Sequence, residues 1–505
     1  MKALAAMVTA VALLAASPAP AQSNRPPQIV YQIFVRSFRD SNGDRSGDLD
    51  GLRQSIPYLK SLGVTTVLLT PIQPSPFYHS YFATRFSGVD RAYGDMTSFR
   101  HLVRALHAAG LRLILDEEFQ YVAQGHPWFA QHPGWILKQS TSAAPEPFPG
   151  LMRLNSWDGA AYEVATVNLL APGVRDFFTR YLMDWSDLGV DGFRLDHMMD
   201  DLDNKGRQTD LFARFWRPIF ARLKAAHPGL ELVAEQADWG YGGAWLTRGG
   251  VDAVFAFPLR TAIVSFDKAA IDKAIARTAA ATPPGKRQLI FIENHDTDRF
   301  ASLAGGDPAK LRLAAAFDLF LNGTPLIYYG QELGMRGRKS AAWNSDANDI
   351  PQREAFRWAA DERGPGQAIW YAGDWPWWKD RFNRSHDGVS VEEEDKVAGS
   401  LLNWYRRLIA LRARPEWLGG DQTEVCPNSD HLVCLLRKSG ARRSLMIANL
   451  SPGPTTLDLA TIGADDASWR VLARNGAVLA RERLNLEPWA VEILGGVGPC
   501  REKGR

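Results

Sequence analysis

Three carboxylic acids end three separate apolar segments of the sequence. Asp196 follows Val190–Leu195, Glu235 lies near the end of LELVAEQ, and Asp296 ends QLIFIENHD. Each segment is short enough for a buried strand. In parallel barrels and doubly wound sheets, catalytic groups gather at the carboxyl ends of the strands. The pattern therefore predicts one site that three acids share.

The spacing around Asp196 and Glu235 predicts different roles for the two acids. Arg194 stands two residues before Asp196, so a strand directs both side chains to one face. An arginine beside a carboxylate keeps it ionised near neutral pH, as a nucleophile requires. A buried Arg–Asp pair that only stabilises the fold would explain the same spacing. Glu235 has no adjacent basic residue in the sequence, which permits a raised pKa and the role of acid/base.

The segments GFRLD, the later strand-end glutamate and NHD resemble the signatures of the α-amylase family (glycoside hydrolase family 13) of retaining α-glycosidases. The resemblance extends from about Tyr31 to Arg412 and is nearest to amylases and oligo-1,6-glucosidase-like members. It implies that Asp196, Glu235 and Asp296 are the catalytic acids. It also implies that the third acid binds sugar hydroxyls, and that the supporting side chains are Arg194 and His295.

Further substrate contacts follow from the same resemblance. In PSPFYHSYFATRF, close to the family's YHGYW segment, Tyr81 would stack on the sugar being cleaved. The first signature, usually DxVxNH, reads DEEFQY: Asp116 is kept, and Gln120 and Tyr121 replace Asn and His. We expect this pair to alter how the sugar is held, unless Tyr121 turns away and packs under an inserted domain. His197, where the family often has a small residue, joins the candidate contacts.

A loop rich in oxygen donors follows the first predicted strand. Its aspartates and asparagine alternate with other residues, and interspersed glycines allow tight turns, so the loop can wrap a calcium ion. Arg45 and Gly51 stand where an EF-hand has its sharp-turn Gly and closing Glu. The loop is closer to that of oligo-1,6-glucosidase-like enzymes, and a solvated turn is the alternative. By that resemblance the Ca²⁺ ligands are Asp40, Asn42, Asp44, Asp48 and the carbonyl oxygen of Ser46.

Alternation of apolar strands with amphipathic helices predicts an α/β fold, a (β/α)8 TIM barrel. The predicted strands are Gln28–Phe38, Thr65–Ile72, Leu111–Leu115, Val190–Leu195, Leu230–Gln236, Val251–Leu259, Gln288–Asp296 and Pro325–Glu332. The barrel is assigned to 28–119 and 169–415. A small domain is inserted after strand 3, at 120–168, and an all-β sandwich domain occupies 421–497.

Composition and the first residues indicate an exported protein. Lys2, an apolar run and Ala19-Pro20-Ala21 predict a signal peptide over 1–21, hence a periplasmic or secreted location. No apolar stretch reaches the roughly 20 residues that a membrane span needs. The formal net charge of +2 in 505 residues argues against nucleic acid as a partner, and no oligomeric state is predicted.

Three cysteines occur in the chain. Cys426 and Cys434 flank a turn signal, so a disulfide across a hairpin is favoured over two reduced thiols in a sheet. Cys500 lies in a polar C-terminal tail and is predicted to be unpaired.

The predicted activity is hydrolysis of α-1,4-linked glucan or malto-oligosaccharides through a covalent glycosyl-enzyme intermediate. A transglycosylase, which passes the same intermediate to another sugar, is the alternative, because both enzymes share the first half-reaction. A catalytically inactive glucan-binding relative is disfavoured, since all three acids are present. The sequence contains neither HExxH nor GxxxxGK[ST], so zinc-protease and P-loop chemistry have no support.

Overall fold

The computed structural model describes residues 27–137, 151–201, 209–414, 421–464, 469–480 and 483–497. The predicted signal peptide and Cys500 lie outside these ranges. Within them, no helix has both the length and the apolar character needed to cross a membrane.

Eight parallel strands close into a barrel, which confirms the predicted (β/α)8 fold. Neighbours in the chain are neighbours in the barrel, and the eighth strand pairs with the first. The strands are β1 (Val30–Ile33), β2 (Thr66–Leu69), β3 (Arg112–Glu117), β4 (Gly192–Met198), β5 (Glu231–Gln236), β6 (Ala253–Phe255), β7 (Arg287–Ile290) and β8 (Thr324–Tyr328).

Helices on the outside cover the barrel with their apolar faces. Several begin at an aspartate whose side chain accepts backbone N–H bonds, as Asp95, Asp267 and Asp307 do. The longer helices are Met96–Ala108, Val174–Asp187, Arg217–Ala226, Phe257–Ser265, Lys268–Ala280, Pro308–Phe320 and Leu401–Arg412.

Several strands are shorter than their apolar segments predicted. The segment Val251–Leu259 contains only the short β6, and a helix begins at Phe257 with Pro258 in its first turn. β7 ends at Ile290, so NHD lies on the loop beyond the strand. A fully buried apolar run has the same composition in a strand and in the first turn of a helix, so composition could not place these ends.

Two smaller sheets flank the barrel. After β3, the strands Tyr121–Ala123, Ile136–Leu137, Leu151–Asn155 and Ala161–Val167 form an antiparallel sheet. At the C-terminus six antiparallel strands form a second sheet, and a disulfide joins Cys426 to Cys434 as predicted. Alternate residues of this sheet, such as Val433 and Cys434, face the barrel and a separate small core respectively.

Candidate active site

Arg194 is the centre of the site. It lies on β4 with its side chain fully buried inside the barrel. Its guanidinium contacts three carboxyl groups: Asp116 at 2.7 Å, Glu235 at 2.9 Å, and Asp196 on its own strand. A guanidinium presents several donors in a fixed plane, so one side chain can orient several carboxylates at once. Arg194 therefore fixes the positions of the two predicted catalytic acids that lie on β4 and β5.

The end of β4 is distorted where Asp196 and His197 lie. The pairing of β4 with β5 shifts register between Leu195 and Met198, and His197 has a φ of 43°. Such bulges bend a strand and redirect its side chains, often next to active sites. The backbone N–H of His197 then donates to Glu235 Oε2 at 3.0 Å. The bulge thus brings a β4 donor to the acid on β5.

Glu235 is almost completely enclosed at the end of β5. Besides Arg194 and His197, Trp239 holds it: the indole Nε1–H donates to Glu235 Oε1 at 3.0 Å. The Trp239 ring stacks on Phe257 with centroids 4.5 Å apart, and 44% of the residue stays exposed. An exposed tryptophan beside a buried carboxyl offers a flat face to a ligand that reaches the acid.

A second chain of contacts leads to Asp296. Tyr81 donates to Asp116 Oδ2 at 2.8 Å, and its ring stacks on His295 with centroids 5.4 Å apart. His295 Nε2 lies 3.1 Å from Asp296 Oδ2, and Arg353 lies 3.2 Å from Asp296 Oδ1. The loop after β7 is thereby connected to the carboxyl group on β3.

These groups surround a cavity of about 290 Å³ at the carboxyl ends of the strands. The predicted residues that line it are Tyr81, Tyr121, Asp196, His197, Glu235, His295 and Asp296. Asp116 and Arg194 lie behind this wall, fully buried, and reach the cavity through their partners. Its size is at the lower end of the range for small-molecule sites.

The structure separates the unusual pair Gln120 and Tyr121. Gln120 lies behind the cavity, and its amide donates to the carbonyl oxygens of Asp196 at 3.1 Å and His197 at 2.8 Å. Tyr121 begins a strand of the inserted sheet, and its ring lies beside Phe82 in the cavity wall. Gln120 therefore holds the β4 bulge, whereas Tyr121 faces the space that a ligand would enter.

The protonation states of the two central acids differ. Burial raises the pKa of Glu235 well above its ordinary value, and the neighbouring Asp196 and Asp296 raise it further, although Arg194 opposes both effects. Burial also acts to raise the pKa of Asp196, but Arg194 and a hydrogen bond from Glu118 together lower it below the ordinary range. The two shifts favour the ionised form of Asp196 and the protonated form of Glu235.

The other titratable groups of the site are shifted mainly by burial. Burial raises the pKa of Asp116 to about 7 and raises that of Asp296. It lowers the pKa of His79 to about 3 and that of His295 well below its ordinary value. Both imidazoles are consequently neutral near pH 7 and can serve as hydrogen-bond partners without adding positive charge.

Sequence reasoning missed several residues of the cavity wall. Glu118 follows Asp116 by two residues, so strand periodicity alone places both on one face. Arg353 had no such signal, because it belongs to the long connection after β8, 57 residues beyond Asp296. The residues of the wall that no prediction named are His79, Phe82, Glu118, Trp239, Asp349 and Arg353.

The tryptophans of the same long connection pack outside the cavity wall. Trp375 and Trp377 stack with centroids 5.0 Å apart, and Trp157 of the inserted region packs on Trp370 at 5.2 Å. Trp378 lies against the Arg381 guanidinium at 4.0 Å. None of Trp375, Trp377 and Trp378 lines the cavity. These tryptophans therefore pack against neighbouring side chains of the long connection and of the inserted region.

The predicted calcium loop is ordered by its own side chains. Asp40 accepts backbone N–H bonds from Asn42, Gly43 and Arg45, and Asp48 caps the helix Leu49–Gln54. The hard oxygen donors suit calcium chemically. Among the described residues, however, the carboxylate oxygens of Asp40, Asp44 and Asp48 do not all lie within 4.8 Å of one another. Bringing the loop carboxylates around an ion therefore requires them to move closer together.

Glycoside-processing enzymes use a pair of carboxyl groups of which one is ionised and the other protonated, and the pKa shifts of Asp196 and Glu235 favour that arrangement. The family model "Alpha amylase, catalytic domain" matches residues 32–147 and 158–421. Alpha-amylase 3 of Dictyoglomus thermophilum is 30% identical over 453 residues, which cover 83% of this chain and 84% of that protein. The chain belongs to the α-amylase family and is an enzyme of that family.

Other relatives carry different names within the family. A 4-alpha-glucanotransferase of Thermotoga neapolitana is 29% identical over 466 residues, which cover 84% of this chain and 96% of the relative. The crystal structure of an alpha-amylase from H. orenii has a TM-score of 0.76 at 26% identity, covering 94% of this chain and 100% of that one. The family is thus established, while its members include both amylases and glucanotransferases.

Proposed function

We propose that the protein is an exported, retaining α-glycoside hydrolase that cleaves α-1,4-linked glucan or malto-oligosaccharides through a covalent glycosyl-enzyme intermediate. The single observation that carries the proposal is that Arg194 contacts both Asp196 and Glu235 while their pKa values shift in opposite directions. Retaining glycosidases need one ionised and one protonated carboxyl group on either side of the glycosidic bond.

Asp196 is the nucleophile in this proposal, and Glu235 is the acid/base. Glu235 gives its proton to the leaving oxygen while Asp196 attacks the anomeric carbon. In the second half-reaction, Glu235 removes a proton from water and Asp196 departs. Asp296 then binds sugar hydroxyls, and its contacts with His295 and Arg353 hold its carboxylate in position.

The remaining predicted contacts form the wall around the sugar. Tyr81 offers its ring while its hydroxyl is held by Asp116. Tyr121 and His197 line other parts of the cavity. Gln120 does not line the cavity; it donates hydrogen bonds to the backbone carbonyls of Asp196 and His197 and so holds these two residues in place. These residues would set which oligosaccharides bind, rather than perform bond cleavage.

Transglycosylation is the second candidate, and Trp239 favours it. Its exposed indole ring lies next to the acid/base, and its N–H binds that carboxyl group. A sugar stacked on this ring would present a hydroxyl to Glu235 in competition with water. The Thermotoga neapolitana relative at 29% identity is named a 4-alpha-glucanotransferase.

Calcium in the Asp40–Asp48 loop and export remain proposals. The donor set for Ca²⁺ is Asp40, Asn42, Asp44, Asp48 and the Ser46 carbonyl, all oxygen ligands of the type calcium prefers. Bound there, the ion would stabilise the connection between β1 and the helix Leu49–Gln54. Export is supported by the leader-like first 21 residues.

The experiment is product analysis. The enzyme is incubated with malto-oligosaccharides, isomaltose, sucrose and trehalose, and the products are resolved by chromatography over time. Hydrolysis predicts only shorter sugars at all substrate concentrations, whereas transfer predicts longer sugars at high concentration. If no α-glucoside among these is converted, the proposed activity is wrong.

A further inference from the structure

Glu118 is a buried acid on the wall of the active-site cavity, directly after β3. Only 5% of its surface is exposed, and it lines the same cavity as Asp196. One of its oxygens accepts the backbone N–H of Gln120, and its carboxyl group lies within hydrogen-bonding reach of that of Asp196 on the same cavity wall. A further acid, Glu118, therefore lies against the proposed nucleophile.

Two carboxyl groups can be joined by a hydrogen bond only if one of them carries a proton. Asp196 also contacts the Arg194 guanidinium, which favours its ionised form. Among the described residues, no ion pair within 4 Å joins Glu118 to an arginine, lysine or histidine, whereas Arg194 contacts Asp116, Asp196 and Glu235. The proton of the pair therefore belongs on Glu118.

The surroundings of Glu118 agree with this assignment. Burial, then the negative charge of Asp196, raise the pKa of Glu118 well above its ordinary value. Its neighbour Glu117 is equally buried but lies on the opposite face of β3, where Tyr181 donates to it at 2.7 Å and Gln73 at 3.1 Å. The two adjacent glutamates thus have separate partners, and only Glu118 reaches the nucleophile.

We propose that Glu118 is a positioning residue that stays protonated, donates a hydrogen bond to Asp196 and assists its departure in the second half-reaction. This inference rests on the proposed retaining mechanism. In that step the water oxygen bonds to the anomeric carbon, and the bond from that carbon to Asp196 breaks. The electron pair of that bond returns to Asp196 as a carboxylate, the water proton passes to Glu235, and Glu118 keeps its own proton.

The hydrogen bond acts differently on the two half-reactions. It stabilises the carboxylate of Asp196, so it strengthens as negative charge returns during departure. During the first attack it weakens as that charge is consumed. Removing the donor should therefore slow breakdown of the intermediate, by roughly tenfold or more, without slowing its formation. General damage to the fold would slow both steps.

The test uses the full chain and 4-nitrophenyl α-maltotrioside, followed by rapid mixing and by mass spectrometry of acid-quenched enzyme. Glu118→Met removes the donor and keeps the length of the side chain, and Glu118→Leu repeats the change with another shape. Glu118→Gln keeps both an acceptor for the Gln120 N–H and a donor for Asp196. Glu117→Gln is the matched control, because it removes an adjacent buried acid that is not in contact with the cavity.

The expected result is a burst of nitrophenol in Glu118→Met and Glu118→Leu, followed by a slow steady phase, with maltotriosyl mass on the Asp196 peptide. Glu118→Gln should recover to within about threefold of wild type, and Glu117→Gln should show no burst. Equal slowing of both phases in the Met and Leu variants, or a Gln variant as impaired as these, would overturn the inference. If the wild-type enzyme turns the substrate over but no variant shows a covalent adduct, the proposed retaining mechanism itself is wrong.

Discussion

Asp196 at the end of β4 and Glu235 at the end of β5 contact the same guanidinium, yet their pKa values shift in opposite directions. Asp196 keeps 16% of its side chain exposed and has hydrogen bonds from Arg194 and Glu118, so its pKa falls. Glu235 keeps 5% exposed and faces two other acids, so burial and repulsion exceed the effect of Arg194 and its pKa rises. A shared positive charge does not decide protonation; the balance of burial, donors and negative neighbours does.

Substitution of Asp196 and of Glu235 should impair different chemical steps. Asp196→Asn and Glu235→Gln should each lower turnover of malto-oligosaccharides by about 10⁴-fold or more, as expected for catalytic groups that act as a unit. With an α-maltosyl fluoride, whose leaving group needs no proton, Glu235→Gln should still form the intermediate and Asp196→Asn should not. Rates and circular dichroism measure both effects. Near wild-type turnover in either folded variant would exclude the assigned roles.

The pH profile of kcat/KM should report the two shifts directly. Asp196 must be ionised, and its lowered pKa moves the acid limb below the ordinary aspartate value of about 3.9. Glu235 must be protonated, and its raised pKa moves the alkaline limb above the ordinary glutamate value of about 4.3. Activity is thus lost as pH rises through the pKa of Glu235. An alkaline limb near 4.3 would contradict the comparison.

The proposed calcium loop lies outside this pair of acids, so chelation should change stability without moving either limb. A ligand at 100 times its dissociation constant stabilises the native state by about 2.7 kcal/mol. For a chain of 505 residues, we therefore expect excess chelator to lower Tm by roughly 2–4 °C.

The loop offers its own control. Asp44→Asn should remove the response to chelator, whereas Asp50→Asn, which alters an aspartate paired with Arg53 outside the ligand set, should keep it. An unchanged melting curve in chelator, together with no calcium by elemental analysis, would refute the proposal.

Substitutions of Gln120 and Tyr121 should have the smallest effects. Gln120 holds the backbone of the catalytic acid Asp196, whereas Tyr121 lines the cavity, so the two substitutions should change different kinetic constants. Gln120→Asn shortens the side chain that binds the Asp196 and His197 carbonyls, so we expect a lower kcat. Tyr121→His changes a cavity-lining ring, so we expect altered KM ratios among α-glucosides. Each change should stay within about tenfold, the effect of one hydrogen bond. Unchanged ratios for every substrate would mean that Tyr121 only packs.

The barrel could be predicted from sequence because each strand is an apolar run with a helix after it. The exact ends could not, as the helix beginning at Phe257 shows: its first turn is as apolar as the strand before it. Glu118 could have been placed on the same face as Asp116 by the two-residue period of β3. Its contact with Asp196 could not, since that depends on the packing of β3 against β4.

Contributions from distant loops were the least predictable part of the site. Arg353 reaches Asp296 from the connection after β8, and Trp239 reaches Glu235 through a positive φ of 50°. Arg353 ends a short 3-10 helix, Asp346–Arg353, and Trp239 lies outside helix and strand, so no local pattern indicates that either side chain reaches an acid of the site. The acids at strand ends could be found from the chain alone, but the groups that tune them required the folded structure.

Covalent trapping tests the central claim most directly. The enzyme is inactivated with a 5-fluoro-α-glycosyl fluoride, digested, and its peptides are sequenced by mass spectrometry. If Asp196 is the ionised nucleophile and Glu235 the protonated acid, the glycosyl mass should lie on Asp196, and Glu235 should be unlabelled. A label on Glu235, or turnover of the reagent with no label on any residue and an inverted product anomer by NMR, would contradict the account.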